Sequence, residues 1–430
     1  MQRIRMSLPH YRENGWEPVV LTIEDKYQDG VREPALLTTL PPEVRIIRIP
    51  AIPLQLARWC GMGNTGLRIL PNLFLHGSRL LQNEKFDLIF FSNTQFITFP
   101  LGRLWLAWFG VPYVIDIQDP WRTDYYERSG SRQPPGGWKY QFARFQAWLL
   151  EGWAYRRAAA FISVSPGYLT ELTGRYPWFS KIISEVIRFG ASRQDLAHAS
   201  RLIIDPPLFQ RERDELHLLY TGASGPVMPH SLSVLFDGVR KYREKHPERG
   251  NLLRFHFVGT SYVAPGTGVM SVMPVAEACG VADLVAEIPH RIGHLEALAW
   301  QLQADVLLLP GSSDLAYSPS KLYPYFLTGR PILGIVFRGS VMEHLLEELG
   351  CAQLIRFSEN EPKEDAHARL ATILDLAFAG FPAGTRTARN EKLFRETYLV
   401  EELTRRQCSL FDRVVSPPPM GEVADPAATL

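Results

Sequence analysis

Residues 318–333 read SPSKLYPYFLTGRPIL, and they follow an unbroken apolar run, DVLLLP, at residues 305–310. An apolar run of this length is typical of a buried strand in a parallel sheet that is covered on both faces. Pro324 lacks an amide hydrogen and fits best in the first turn of a helix, so we expect a helix to begin just before it. Gly329 predicts the end of that helix, and a second strand is predicted over residues 332–337. The stretch therefore predicts the strand–helix alternation of an α/β sheet.

The start of this helix suits the binding of an anion. We expect the backbone amides of residues 320–323 to have no partners within the helix. Lys321 adds a full positive charge, and Ser318 and Ser320 add hydroxyl donors, a combination that suits a diphosphate. An ordinary capped helix of an α/β domain is the alternative interpretation of the same pattern.

Composition limits the classes of function. The chain has 430 residues, of which 46% are hydrophobic and 21% are charged, values that are ordinary for a globular protein with room for two domains. A net charge of +1 argues against a nucleic-acid-binding protein, which would show a basic excess. The four cysteines are far apart, so neither a zinc cluster nor a disulfide framework is predicted, and a cytoplasmic location fits reduced thiols.

Membrane insertion is not predicted. The start of the chain lacks the apolar segment of a secretory signal, and the apolar region 86–111 is interrupted by polar residues. Trp105, Trp108 and Phe109 beside Arg103 resemble an interfacial face and leave open a peripheral contact with a membrane, at its inner face. Packing of these aromatic residues in a core is the alternative.

Short apolar strands alternate with helices through most of the chain, which predicts two βα sheets. The predicted strands cover residues 18–23, 44–49, 87–91, 112–116, 160–164, 216–220, 253–258, 284–288, 305–309, 332–336 and 352–355. The predicted domains are an N-terminal one at 1–195, a C-terminal one at 208–389, an amphipathic helix or helix pair at 390–415 and a disordered tail at 416–430. Residues 187–207 are interpreted as the linker between the domains.

One segment, residues 126–153, does not fit this alternation, because PPGG at 134–137 leads into an aromatic-rich helix. Such an insertion is suited to face a partner or an acceptor. Aromatic packing of a long helix in the core is the alternative.

Taken together, several motifs resemble those of nucleotide-sugar glycosyltransferases of the GT-B fold, in particular the family-four-like group. The motifs, in chain order, are LYTG at 219–222, FVGT at 257–260, HRIGHLE at 290–296, ADVLLLP at 304–310, PSKL at 319–322, Tyr325 and GRPI at 329–332. The resemblance implies an α/β fold of two Rossmann-like domains whose parallel sheets face a central cleft.

The resemblance also implies a nucleotide-sugar donor held by the C-terminal domain. By this resemblance, the residues that bind the donor and its phosphates are Gly222, Arg291, Ser318, Ser320, Lys321, Leu322 and Tyr325. His230 is a further candidate for a phosphate contact. No cofactor is expected beyond the nucleotide-sugar substrate, and no metal, because no Asp-x-Asp motif precedes a suitable strand.

In the N-terminal domain, VIDIQDPW at 114–121 resembles the acidic strand end of the same enzymes. Asp119 is the predicted catalytic residue, which would orient or deprotonate an acceptor hydroxyl at the carboxyl edge of the sheet. Gln118, Trp121 and Arg122 are predicted on the acceptor side. The alternative makes Asp119 the N-cap of a helix that begins at Pro120.

Two features depart from the family pattern. Retaining members carry two glutamates where this chain has Ala316 and Pro324, so the ribose contact would come from elsewhere; Asp314 and Tyr325 are candidates. The first strand of the N-terminal domain is also missing from the pattern, since the chain opens near a helix at residues 3–14. Either the natural start lies elsewhere or the fold compensates for the lost strand.

The sequence therefore predicts a metal-independent glycosyltransferase that acts on a saccharide or lipid-linked acceptor in cell-envelope or polysaccharide biosynthesis. A degenerate, non-catalytic GT-B scaffold is the alternative, and a sugar-nucleotide epimerase is the third hypothesis. The base, the sugar, the acceptor, the stereochemistry and the oligomeric state are left open.

Overall fold

The structure is a computed structural model, and it describes most of the chain. The described residues are 2–28, 33–59, 63–122, 137–205, 207–209, 214–224, 228–261, 263, 266, 268–315, 317–358, 362–381 and 388–416. The chain divides into two compact units. The N-terminal unit comprises Met1–Asp29, Leu40–Phe189 and Glu401–Leu430, and the C-terminal unit comprises Gly30–Thr39 and Gly190–Val400.

The strands of the N-terminal unit form two parallel sheets rather than one. These strands are β1 (Val19–Ile23), β2 (Arg45–Ile49), β3 (Ile89–Ser92), β4 (Tyr113–Ile117), β5 (Ala160–Ser163) and β6 (Ile183–Val186). β1 pairs with β2 alone, and the second sheet has the order β3-β4-β5-β6. In the described part of the unit, the ladders of these two sheets are therefore not joined.

Helices cover the sheets of this unit, and the first and last of them contribute to one apolar cluster. They are α1 (Gln2–Ser7), α2 (Leu54–Trp59), α3 (Thr65–Asn83), α4 (Pro100–Phe109), α5 (Trp138–Tyr155), α6 (Pro166–Arg175) and, from the end of the chain, α16 (Val400–Val415). The cluster joins Leu8 beside α1, Val20 of β1, Val114 of β4 and Leu410 of α16. Apolar burial thus connects both sheets although their ladders do not meet.

The C-terminal unit has one six-stranded parallel sheet, of order β12-β11-β10-β7-β8-β9. Its strands are β7 (Leu216–Thr221), β8 (Leu253–Val258), β9 (Val285–Ile288), β10 (Val306–Pro310), β11 (Ile332–Phe337) and β12 (Ala352–Phe357). Leu307, Leu308 and Leu309 of β10 are completely inaccessible to solvent. The strand order reverses between β7 and β10, and ligands of such sheets bind beyond the carboxyl ends of the strands at that point.

Helices cover both faces of this sheet. They are α7 (Arg193–Ala199), α8 (Pro229–Lys245), α9 (Pro247–Gly250), α10 (Met273–Ala278), α11 (His294–Gln303), α12 (Leu322–Thr328), α13 (Val341–Leu349), α14 (Glu364–Phe378) and α15 (Glu391–Tyr398). Gly329 ends α12 with a left-handed φ of 71°, as the sequence predicts. No helix in the described part of the chain is long and apolar enough to cross a membrane.

The structure differs from the predicted organisation in the segment interpreted as a linker. Residues 187–207 contain the helix α7. The strand β6 was not predicted, because its sequence, ISEV at 183–186, mixes polar and apolar residues, as a partly covered edge strand does. The units divide at Phe189 rather than at residue 195. The predicted pair at 390–415 is formed by α15 and α16, of which α16 belongs to the N-terminal unit. All but the first residue of the predicted tail lies outside the described residues.

Candidate functional site

Lys321 and Gly222 meet at the point where the order of the C-terminal sheet reverses. Gly222 follows β7, and Lys321 ends the loop that follows β10. The Lys321 side chain lies across Gly222 so closely that a Cβ on the glycine would stand 1.8 Å from Lys321 Cε. Gly222 also has a φ of 131°, which side chains rarely adopt. The glycine is therefore required both for the turn and for the path of the lysine.

The Lys321 ammonium is largely buried and has no counter-charge among the residues that the structure describes. Its Nζ donates to the Tyr220 hydroxyl at 2.9 Å and lies 3.4 Å from the carbonyl oxygen of Ala223. Within the described residues, no carboxylate pairs with it. Burial lowers the pKa of the Lys321 ammonium to about 8, because the charged form loses its hydration. Binding of an anion therefore stabilises this ammonium more than it would stabilise the well-hydrated ammonium of an exposed lysine.

The start of α12 corrects one expectation about free amides. The Leu322 amide donates to the Pro319 carbonyl at 3.2 Å, and the Tyr323 amide donates to the Ser320 carbonyl at 3.4 Å. These turn hydrogen bonds arise because Lys321, the N-cap, is itself helical and tightens the entry to α12. Ser318 and Ser320 are exposed in the preceding loop, where their hydroxyls are accessible.

Leu322 and Tyr325 lie beneath this surface. Both side chains are completely buried. The Tyr325 hydroxyl accepts a hydrogen bond from the Thr221 amide at 2.9 Å, at the end of β7. Tyr325 therefore positions the turn that carries Gly222, and its side chain does not reach a ligand from this place. Asp314, the other predicted ribose partner, is exposed, and Ala316 lies outside the described residues.

A pocket of about 440 Å³ opens beyond β9, and Arg291 contributes to its wall. The other residues of its lining are Glu33, Pro34, Ala35, Leu202, Ile288, His290, Ile292, Gly293, Leu295, Glu296 and Trp300. Gly259 connects it to Gly222: a Cβ on Gly259 would lie 3.7 Å from Ile292 Cγ1 and 3.9 Å from the Gly222 amide nitrogen. The surface from Lys321 to the pocket is thus continuous across two glycine turns.

Glu33 is a pocket residue that the sequence did not indicate. Its carboxylate accepts hydrogen bonds from the His294 amide at 2.6 Å and from the Leu295 amide at 2.7 Å, and so caps α11. Glu33 and His294 are 261 residues apart in the chain, so no local sequence pattern predicts their contact. Two backbone amides of the HRIGHLE motif at 290–296 are therefore already engaged.

In the N-terminal unit the most buried charge is Asp116, near the end of β4. Its Oδ2 lies 2.9 Å from Arg3 Nε, and it accepts hydrogen bonds from Ser92 at 2.6 Å and from Gln118 at 2.7 Å. Arg3 also donates to the Ile187 carbonyl at 2.7 Å. Gln118, predicted on the acceptor side, is thus bound to a buried ion pair that the sequence did not reveal.

Asp119, the predicted catalytic residue, is more accessible. It follows β4 in a bend, and no helix begins in the described residues directly after it. Burial of part of the side chain raises the pKa of the Asp119 carboxyl. Trp121 stacks on Phe96 with ring centroids 5.9 Å apart, and the Arg122 amide donates to Glu151 at 3.1 Å. Trp121 and Arg122 are thus anchored to the body of the unit.

His230 is the remaining candidate for an anion contact. The His230 ring stacks on Phe357 at 5.1 Å, which gives it a packing role. Among the residues that the structure describes, no group of three or more His, Cys, Asp or Glu side chains could hold a metal ion. Independence from metal remains a prediction.

The comparisons with known proteins agree with this architecture. Residues 2–183 match the sequence model of the glycosyl transferase 4-like domain. WaaG, a glycosyltransferase involved in lipopolysaccharide biosynthesis, has a similar fold with 12% identity and a TM-score of 0.51, over 97% of this chain and 96% of its own. The chain has the GT-B fold, and its residues 2–183 are similar to the glycosyl transferase 4-like domain. The resemblance and the two Rossmann-like domains are confirmed.

Two other GT-B structures are similar. The UDP-forming α,α-trehalose-phosphate synthase of Burkholderia xenovorans has 12% identity and a TM-score of 0.52, over 82% of this chain and 79% of its own. HepE of Anabaena, in complex with UDP-glucose, has 12% identity and a TM-score of 0.50, over 91% of this chain and 98% of its own. At such identities the likeness establishes the GT-B fold alone. No curated protein sequence matches the chain.

Proposed function

We propose that this GT-B protein transfers a glycosyl group from a nucleoside-diphosphate sugar to a saccharide or lipid-linked acceptor, and that the C-terminal unit binds the donor. The observation that carries the proposal is Lys321, a buried ammonium at the switch point of the sheet without a carboxylate partner in the described residues. A diphosphate would supply the missing negative charge.

The physical argument concerns the free energy of an unpaired buried charge. An ammonium that loses its hydration destabilises the folded protein unless a partner compensates it. The Gly222 turn brings backbone close to the ammonium, so an anion above the turn contacts both. In the transfer step the bond between the anomeric carbon and the diphosphate breaks, and Lys321 would stabilise the charge that develops on the leaving oxygen.

The pocket beside Arg291 is the proposed place for the nucleoside. Its volume of about 440 Å³ and its partly apolar lining suit a ribose and a base. Arg291 is exposed at its wall, where the guanidinium could pair with a phosphate. The glycines at 222 and 259 join this pocket to Lys321, so one extended ligand can occupy both.

Asp119 is proposed to orient or deprotonate the acceptor hydroxyl. The oxygen of that hydroxyl forms the new bond to the anomeric carbon, and its proton passes to a base. A pKa raised by burial brings the carboxyl closer to the range in which general bases operate. The proposal does not require a bound metal, since Lys321 and Arg291 supply the positive charge.

Two of the similar structures guide the choice of ligands. WaaG is involved in lipopolysaccharide biosynthesis, and HepE was solved with UDP-glucose. We therefore place the proposed reaction in the biosynthesis of envelope saccharides on the cytoplasmic side and include uridine nucleotides in the first ligand panel.

The test is a thermal-shift screen of the full chain against nucleoside diphosphates and nucleotide sugars. At a ligand concentration about 100 times Kd, binding stabilises the native state by about 2.7 kcal/mol, a shift of several degrees. We expect a selective shift with one base, lost in Lys321→Ala and kept in Lys245→Ala, an exposed lysine of α8. A uniform lack of response in folded protein would contradict the donor site.

A second candidate function is favoured by the divided N-terminal sheet and by Pro324 in place of the family's glutamate. In that case the protein binds a nucleotide sugar without turnover, as a scaffold. Release of nucleoside diphosphate from the bound donor distinguishes the two: slow hydrolysis or transfer supports the enzyme, and binding without any product supports the scaffold.

A further inference from the structure

The outward face of α5 is aromatic. Phe142, Phe145 and Leu149 follow one another at helical spacing, and Trp148 lies beside them; each of these side chains is more than half exposed. Trp153 extends the row by one turn and is more than a third exposed. Exposed apolar residues that form a continuous row, rather than single positions, mark an interaction surface.

The inward face of the same helix is formed partly by small residues. Ala147 and Ala154 are turned towards the body of the unit and are almost completely buried. A helix at the surface normally buries its large apolar side chains and exposes its small or polar ones. In α5, Ala147 and Ala154 lie inside together with Tyr155, whereas the large apolar residues of this row lie outside.

The row continues onto the neighbouring helix α4. Trp108 is more than half exposed, and its ring packs edge-on against Phe74 of α3 at 5.6 Å. Arg103 of α4 donates to the Trp153 carbonyl at 2.7 Å and lies 4.4 Å from the centre of the Trp153 ring. We call this surface the aromatic face; it comprises Trp108, Phe142, Phe145, Trp148, Leu149 and Trp153.

The charged residues that α4 and α5 expose beside the aromatic face have one sign. Glu151 is the only acidic residue of α5, and α4 has none. Glu151 points inward, where it pairs with Arg175 at 2.7 Å and accepts from Tyr176 at 3.1 Å. Arg144, Arg156 and Arg157 are exposed on α5 or directly after it. The rim therefore offers positive charge and no exposed carboxylate from these two helices.

We propose that the aromatic face docks the protein on a bilayer that contains anionic phospholipid. Tryptophan and phenylalanine insert at the boundary between headgroups and acyl chains, and arginines at their rim attract the lipid phosphates. The exposed arginines on α5 and directly after it, and the lack of exposed carboxylates on α4 and α5, are complementary to such a membrane. The binding is peripheral, since no described helix can span a bilayer.

This assignment corrects the membrane-facing residues suggested by sequence. Trp105 is buried, with its ring over Gly77 and its indole nitrogen donating to Ser78 at 3.0 Å. Trp108 is the residue of that group that is well exposed, and α5 supplies most of the surface. The proposal does not rest on the donor site, because none of its residues takes part there.

Vesicle co-sedimentation of the full chain tests the proposal. We expect binding to vesicles of phosphatidylglycerol and phosphatidylcholine and weak binding to phosphatidylcholine alone. The variant Phe145→Ser/Trp148→Ser should lower the partition coefficient by about tenfold or more. The matched control is Ile203→Ser/Val269→Ser, which removes two exposed apolar side chains from the C-terminal unit and should bind as the unchanged protein does.

The electrostatic part is tested with charge reversals. Arg144→Glu/Arg156→Glu should lose binding to the anionic vesicles, whereas Lys392→Glu/Arg395→Glu, on exposed positions of α15, should retain it. Each variant must keep its melting temperature and its nucleotide-induced shift. Loss of vesicle binding can then be attributed to the aromatic face rather than to unfolding or to damage at the donor site.

Three outcomes would overturn the proposal. The unchanged protein fails to sediment with anionic vesicles, or the Phe145→Ser/Trp148→Ser variant sediments as well as the unchanged protein. The third is a concentration-dependent dimer, seen by sedimentation velocity and lost in that variant, with no vesicle binding; a second copy would then be the occupant.

Discussion

A buried cation, Arg3, and a largely buried one, Lys321, lie at the carboxyl edges of the sheets of their respective units, and their surroundings are opposite. Arg3 is 2.9 Å from Asp116 and donates to the Ile187 carbonyl. Lys321 has a hydroxyl and a carbonyl as neighbours and, within the described residues, no carboxylate. A paired buried charge holds its own fold together, whereas an unpaired one retains its capacity to bind an anion. The contrast separates a structural site from a candidate binding site.

The largest expected effect comes from breaking the paired charge. Asp116→Ala leaves the Arg3 guanidinium buried without compensation and should destabilise the N-terminal unit by about 3–5 kcal/mol. Urea unfolding of the full chain, followed by fluorescence, measures the change.

The control for this variant is Arg3→Met/Asp116→Leu, which replaces both charges by apolar side chains. It should recover most of the lost stability, because no unpaired charge remains. A loss below about 1 kcal/mol in Asp116→Ala would show that the pair does not hold the unit together.

Removal of the unpaired cation Lys321 should have the opposite effect on stability. Lys321→Met removes a buried ammonium and should stabilise the ligand-free protein by about 1–3 kcal/mol at pH 7. The Lys321 pKa is about 8 in the folded state and near 10.5 in the unfolded state. The unfolded state therefore binds more protons between these values, and the stability of the unchanged protein rises with pH across them.

The difference in unfolding free energy between the two proteins should thus shrink from about pH 8 to pH 10.5. Chemical denaturation at a series of pH values measures it. Destabilisation by Lys321→Met at pH 7 would contradict an uncompensated charge at this position.

A smaller effect is expected in the pH dependence of nucleotide binding, which tests the role of the unpaired cation Lys321. A diphosphate requires the charged form of Lys321, so nucleotide affinity should fall by up to about tenfold per pH unit above pH 8. Calorimetric titration between pH 7 and 9.5 measures the affinity. Lys321→Arg, whose guanidinium stays charged in this range, should bind more weakly but without the fall. A flat profile in the unchanged protein would remove Lys321 from the anion site.

The C-terminal sheet was the most predictable part of the fold. Each predicted strand there is present with bounds that agree closely, because strands buried on both faces are continuous apolar runs. The end of α12 at Gly329 was predictable for a local reason as well, since a left-handed residue favours glycine. Gly222 and Lys321 were identified by motif, and the structure brings them into contact.

Elements at the periphery were harder to predict. β6 reads ISEV and is only partly covered, so its pattern carries no continuous apolar run. α7 lies in a polar stretch that resembled a linker. Tyr325 was predicted as a ligand contact because of its place in a motif, but its side chain is turned into the core beneath Thr221. A motif specifies spacing along the chain, whereas the direction of a side chain depends on what packs around it.

The sequence by itself determined the α/β class, the C-terminal parallel strands, and the lysine and glycine of the candidate donor site, because apolar runs, glycine turns and a helix-starting proline act locally. Only the tertiary structure decided which charges are neutralised and which faces stay exposed. Arg3 reaches Asp116, Glu33 caps α11, and the aromatic residues of α5 remain outside, while Lys321 is left without a carboxylate among the described residues. These pairings join residues that are distant in the chain, so they exist only once the fold has brought them together.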